Sequence, residues 1–131
     1  MSEYLVKAAL DARLNAVAPY SNFKVGAALL TPEGKIYTGC NVENATYGLS
    51  VCAERVALWK ALSEGERTFS RIAVATDSLR PAPPCGACRQ LLWEFAGDVE
   101  VVLVNLQGKN ETFQLAALFP EAFDRHFTAG V

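Results

Sequence analysis

Pro84-Cys85-Gly86-Ala87-Cys88-Arg89 is the stretch on which the reading of this chain turns. Two cysteines three apart read as half of a zinc site. Upstream stands Cys52-Ala53-Glu54-Arg55, a third cysteine with a carboxylate two residues on. Three thiolates leave one tetrahedral position on zinc open, as a catalytic site requires. Cys52 and the Cys85–Cys88 pair each fall where a loop becomes a helix. Free N–H groups and a partial positive charge there favour thiolate over thiol. Cys85 and Cys88, three apart on a helical turn, share a face.

The elements around that stretch follow from pattern. Gly86 to Ala96 reads as a helix with Leu91, Leu92 and Phe95 inward and Gly97 as its stop. Asp77 to Pro84, with three prolines, is a rigid loop. Ile72 to Thr76 and Val99 to Val104 are apolar runs of strand length, and Glu111 to Gln114 a further strand. The turn from Asn105 to Asn110 is too short for a crossover, so the strands it joins are antiparallel. Toward the N-terminus, Lys24 to Leu30 and Ile36 to Cys40 flank the turn Thr31-Pro32-Glu33-Gly34 and form an antiparallel hairpin.

Ser2 is placed to cap a first helix. Val6, Leu10, Leu14 and Val17 continue at helical spacing until Pro19 ends the pattern. Val51 to Leu62 is a second helix, with Val56, Trp59 and Leu62 on successive turns. Asn41 to Ser50 is a polar loop whose composition suits binding. Leu115 to Phe119 is a short helix stopped by Pro120. The order predicts one domain over residues 1–131, α/β in class, with a five-stranded mixed sheet covered by helices.

Net charge is −2, and no run of Lys or Arg occurs. Phosphate neutralisation supplies most nucleic-acid affinity, so a nucleic-acid partner is not expected and a small substrate is. No apolar run is long enough to span a bilayer, and the first residues lack the pattern of a secretory signal. A cytoplasmic location follows as an expectation, where four cysteines are thiols or metal ligands rather than disulfides. The hydrophobic fraction of 51% fits either a subunit interface or a compact core.

Residues two apart do not face each other on a regular helix. Cys52 and Glu54 therefore serve one site only if it lies off the helix end. There a carboxylate can take and deliver a proton beside a zinc-activated water. Alone, Glu54 reads equally well as a first-turn carboxylate; the three cysteines favour catalysis. Thiolates donate strongly to zinc, so a cation should offset them. Arg55 is assigned that role as a donor to the sulfurs. Arg89 either assists or is a solvated charge. His126, the one histidine, is not expected to be a ligand. Cys40 either completes a structural four-cysteine centre or is a core thiol; its apolar strand favours the core.

The chain resembles the short, homotetrameric cytidine deaminases. The resemblance rests on Ala18-Pro19-Tyr20-Ser21-Asn22-Phe23, Val25-Gly26-Ala27-Ala28-Leu29, Gly39-Cys40-Asn41-Val42-Glu43-Asn44-Ala45, Tyr47, Cys52-Ala53-Glu54-Arg55 and Pro84-Cys85-Gly86-Ala87-Cys88-Arg89-Gln90. Leu118-Phe119-Pro120 followed by Phe123 looks like the family's C-terminal segment. The spacing also fits the signature of zinc deaminases with a non-ligand glutamate.

The resemblance implies a three-layer fold with helices on both faces of the sheet, and one Zn²⁺ per subunit on Cys52, Cys85 and Cys88. It implies hydrolytic deamination of cytidine and deoxycytidine at C4, with Glu54 moving protons. It implies that Asn41 and Glu43 hold the ribose 3′-hydroxyl and that Phe23 is a pocket wall. Phe123 is implied to stack on the base from a neighbouring subunit of a homotetramer, with Tyr47 another contact across subunits. Three rivals remain: a structural zinc knuckle, a base in single-stranded nucleic acid, and a cytosine-bearing antibiotic as substrate.

Overall fold

A computed structural model of the protein describes residues 2–128. The Ser2 side chain, expected to cap the first helix, lies outside the described part. Helix α1 (Ser2–Arg13) precedes the hairpin of β1 (Val25–Leu30) and β2 (Ile36–Cys40). Then come α2 (Ala53–Ser63), β3 (Arg71–Thr76), α3 (Gly86–Ala96), β4 (Glu100–Asn105), β5 (Asn110–Gln114) and the single turn α4 (Leu115–Leu118). Short 3₁₀ turns lie at Tyr47–Leu49, within the expected polar loop, and at Arg125–Phe127.

The five strands form one sheet in the order β2-β1-β3-β4-β5. Only β3 and β4 run parallel, joined by the α3 crossover that a parallel pair needs. The central strands are buried on both faces, which explains their unbroken apolar runs. On one face Ile72, Val74, Val101 and Leu103 pack with Ala57, Leu58 and Ala61 of α2 and Leu92 of α3. On the other, Ala28, Ala73, Ala75, Val102 and Val104 pack against Leu5 and Ala9 of α1. Helices cover both faces, as expected.

Two glycines of the hairpin set the distances between layers. A Cβ at Gly39 would lie 2.5 Å from the Ala53 carbonyl oxygen and 2.6 Å from the Ala57 nitrogen. A Cβ at Gly26 would strike the backbone of α1 at Ala9 and Arg13. Helix α2 therefore turns its small residues inward, and Ala53, Ala57 and Ala61 are fully buried. The larger residues on successive turns do not form the inner face: Trp59 is 49% exposed and Val56 only half-buried. In α3, Leu92 is buried but Phe95 lies largely outside the core.

The first helix ends at Arg13, short of Pro19. Val17 is instead drawn into a parallel bridge with Val42: its N–H donates to the Asn41 carbonyl at 3.0 Å, and its carbonyl accepts from the Glu43 N–H at 2.8 Å. Leu14, outside the helix, is exposed.

Candidate active site

The N-termini of α2 and α3 converge beside the carboxyl end of β3. Cys52 is the N-cap of α2 and Cys85 the N-cap of α3, both with extended backbone. Ser, Thr, Asp or Asn ordinarily stands there because its side chain accepts an N–H from the first turn. Neither thiol does so, which leaves both sulfurs free to face elsewhere. Cys88, in the first turn of α3, is fully buried. The three sulfurs lie within 4.8 Å of one another. Sulfurs bound to one tetrahedral zinc at about 2.3 Å stand roughly 3.8 Å apart, so the cluster matches a zinc site with one direction left open.

Electrostatics agree with that donor set. The Cys52 thiol is pulled down to about 6 by a hydrogen bond from Cys88, helped by the Arg55 charge and by Cys85, with burial opposing. Cys88 is pushed up, because it shares its proton with Cys52 and is buried. Arg55 interacts with all three sulfurs, and its guanidinium is raised first by the bond to Cys88. Its buried Nε has no partner among the described residues. A guanidinium beside three sulfurs fits a metal that turns all three into thiolates.

Glu54 is 5% exposed, and its carboxyl is pushed up to about 7, chiefly by burial. The cap position puts Cys52 outside the helix and Glu54 just inside it, so both line one cavity despite their spacing. Glu54 is therefore not a solvated surface carboxylate.

The cavity, about 310 Å³, is lined by Cys52, Glu54 and Cys85 together with Phe23, Asn41 and Glu43. Both polar residues of the second group are already engaged. Asn41 Oδ1 accepts the Val25 N–H and Nδ2 donates to the Phe23 carbonyl, each at 2.8 Å. Glu43 Oε1 accepts the N–H groups of Tyr20 (3.0 Å) and Ser21 (3.1 Å), and Oε2 accepts the Ser21 hydroxyl. These bonds hold the Glu43 carboxyl below its ordinary value.

Tyr47 is 74% exposed and edge-on to Tyr20, with centroids 5.8 Å apart. Phe123 is 57% exposed and stacks on Phe127. Neither lines the cavity of its own chain. The tail carrying Phe123 is tied to α3 by Gln90 Nε2 donating to the Phe123 carbonyl and Trp93 Nε1 donating to Asp124. Arg89 is neither a donor to the sulfurs nor a solvated charge: it donates to the carbonyls of Pro84 and Leu118. His126 is paired with Asp124. Cys40 is half-buried at the end of edge strand β2, apart from the sulfur cluster and outside the two packed cores. Sequence reasoning missed Ser21, Ser50 and Thr76 as polar lining residues. Of these, Ser21 had a signal, in the run Pro19-Tyr20-Ser21-Asn22-Phe23.

A donor set of this kind, with a buried acid lining the same cavity, defines a site for metal-assisted acid–base chemistry. Comparison with known proteins narrows the class. The family model described as the cytidine and deoxycytidylate deaminase zinc-binding region matches residues 1–105. A cytidine deaminase of Halalkalibacterium halodurans is 52% identical over 122 residues, covering 92% of each chain. One from Sporosarcina psychrophila is 48% identical, covering 94% of this chain and 91% of that one. The crystal structure of cytidine deaminase from Burkholderia pseudomallei superposes with a TM-score of 0.91 at 52% identity, covering 94% of this chain and 99% of that one. The chain belongs to the zinc-binding cytidine and deoxycytidylate deaminase family. Its fold, α/β with a five-stranded mixed sheet, is that of cytidine deaminase structures.

Proposed function

We propose that this protein hydrolyses cytidine and deoxycytidine to uridine and deoxyuridine, releasing ammonia, and serves pyrimidine salvage in the cytoplasm. The observation that carries this reading is the buried Glu54 lining one cavity with Cys52 and Cys85 of the three-sulfur cluster. Cys52, Cys85 and Cys88 hold Zn²⁺, and Arg55 offsets their charge. When bound, zinc lowers the pKa of a water so that it can serve as nucleophile near neutral pH. Glu54 would take a proton from the attacking water as its oxygen bonds to C4 and deliver it to N3 of the base, then take the new hydroxyl's proton and pass it to the amine as the C4–N bond breaks. Water is consumed and ammonia released, with no redox partner. Burial suits Glu54 to both directions of transfer, because a pKa near the working pH serves an acid and a base alike.

Phe23 walls the base, and Asn41 with Glu43 holds the ribose. Phe123 stacks on the base of a neighbouring subunit, and Tyr47 makes another contact across subunits of a homotetramer. The exposure of both aromatics, away from their own cavity, supports that assignment. No helix among the described residues is long and apolar enough to cross a membrane.

The test is ultraviolet-monitored turnover of cytidine and deoxycytidine with metal analysis, on wild type and Glu54→Gln. Wild type should deaminate both, and E54Q should keep zinc while losing about 10²–10⁴-fold in kcat. Unimpaired turnover by E54Q would sink the mechanism. A Bacillus cereus relative, 32% identical, is a blasticidin-S deaminase, so that antibiotic belongs in the assay beside a cytosine-bearing oligonucleotide. Preference for either would displace the nucleoside reading.

A further inference from the structure

We infer that Ser21 is a positioning residue for sugar recognition, holding Glu43 and Phe23 together through one hydroxyl. The inference rests on the nucleoside reading above and deepens it. Ser21 lines the cavity. Its Oγ donates to Glu43 Oε2 and accepts the Phe23 N–H at 3.0 Å, while its own N–H donates to Glu43 Oε1. The turn between Ser21 and Phe23 passes through Asn22 at φ +58°, the left-handed region that asparagine adopts more readily than most residues.

Hydrogen-bond capacity shows what this leaves for a ligand. A carboxylate offers about four acceptor directions. Three of those on Glu43 are taken by Tyr20 N, Ser21 N and Ser21 Oγ. The direction that remains is on Oε2, the oxygen that the Ser21 hydroxyl orients. Asn41 has given one N–H to Phe23 and keeps one. One acceptor on Glu43 and one donor on Asn41 match a single alcohol that donates to the first and accepts from the second. Without Ser21 Oγ, Oε2 has two open directions and the carboxylate can turn. Glu43 then no longer presents one defined acceptor, and Phe23 loses the bond on its N–H.

Ser21→Ala and Ser21→Thr should be compared with wild type in calorimetric binding of uridine and 3′-deoxyuridine and in cytidine turnover, with zinc content and Tm read alongside. We expect S21A to weaken uridine binding about tenfold, the scale of a lost bond to a charged group. The loss should be much smaller for 3′-deoxyuridine, and KM for cytidine should rise while kcat stays within about twofold. S21T should restore most of the affinity. Equal losses for the two ligands, an unchanged uridine affinity, or a loss of zinc in S21A would overturn the inference. Uridine binding needs no turnover, so a wild type that binds uridine yet leaves cytidine intact would break the proposed function and still test Ser21.

Discussion

Cys52, Glu54, Cys85 and Cys88 are placed by two helix ends, whereas Phe23, Asn41 and Glu43 are placed by hydrogen bonds between irregular segments. The first group is fixed by regular backbone and by the core behind it: Ala53, Ala57 and Leu92 are buried within a few residues of the thiols. The second is half-exposed and spends most of its hydrogen-bond capacity on residues 20 to 25. In the proposed function, chemistry that needs sub-ångström placement falls to the wall built from helix ends. Recognition falls to the wall whose polar atoms also hold the loop. Changes on the first wall should abolish reaction; changes on the second should shift affinity and leave reaction intact.

The largest break expected is Cys88→Ser. It should lose zinc and turnover together, by metal analysis and assay, while Asn41→Ala keeps zinc and raises KM. Zinc loss in N41A would show that the walls are not separable. Next comes Glu54→Gln in the metal-free protein. A carboxyl held at about 7 against an ordinary 4.5 costs the folded state progressively from pH 4.5 to 7 and by a constant amount above. Metal-free E54Q should therefore be more stable than metal-free wild type at pH 8, by on the order of 3 kcal/mol, and lose that advantage below pH 4.5. Equal thermal midpoints at pH 8 would contradict the burial argument.

Gly39→Ala and Gly26→Ala should each cost about 1–3 kcal/mol by overpacking, visible as lower Tm. Only G39A should also reduce kcat, because its Cβ pushes at Ala53, between Cys52 and Glu54. Loss of kcat in folded G26A would mean that the α1 layer also sets the catalytic geometry. The smallest effect is at Glu43. Its carboxyl is held low by Ser21 and Tyr20, so its clamp is fully present above about pH 4.5 and fades as pH falls through the lowered value. Glu43→Gln should flatten that part of the acid limb in thermal melts.

Much of this was legible locally. The hairpin, the extent of α3 and the grouping of three cysteines at two helix starts follow from periodicity and short spacing. Such patterns depend on neighbours along the chain, so they survive without knowledge of the fold. The inner face of α2 was not legible from its pattern, because hydrophobicity ranks Trp59 and Val56 above the alanines that are buried there. At Gly39 the strand and the α2 backbone approach so closely that not even a Cβ fits on the glycine, so close approach rather than hydrophobicity set the buried face. The end of α1 was misread because Val17 pairs with a segment far along the chain.

The sequence by itself determined which donors exist and which helices carry them: Cys52, Cys85, Cys88 and Glu54, with Arg55 one residue on. Only the tertiary structure decided that Glu54 is buried, that Asn41 and Glu43 are mostly committed to a loop, and that Phe123 and Tyr47 stand away from their own cavity. Burial and the use of hydrogen-bond capacity are properties of packed neighbours, and those neighbours are distant in the chain.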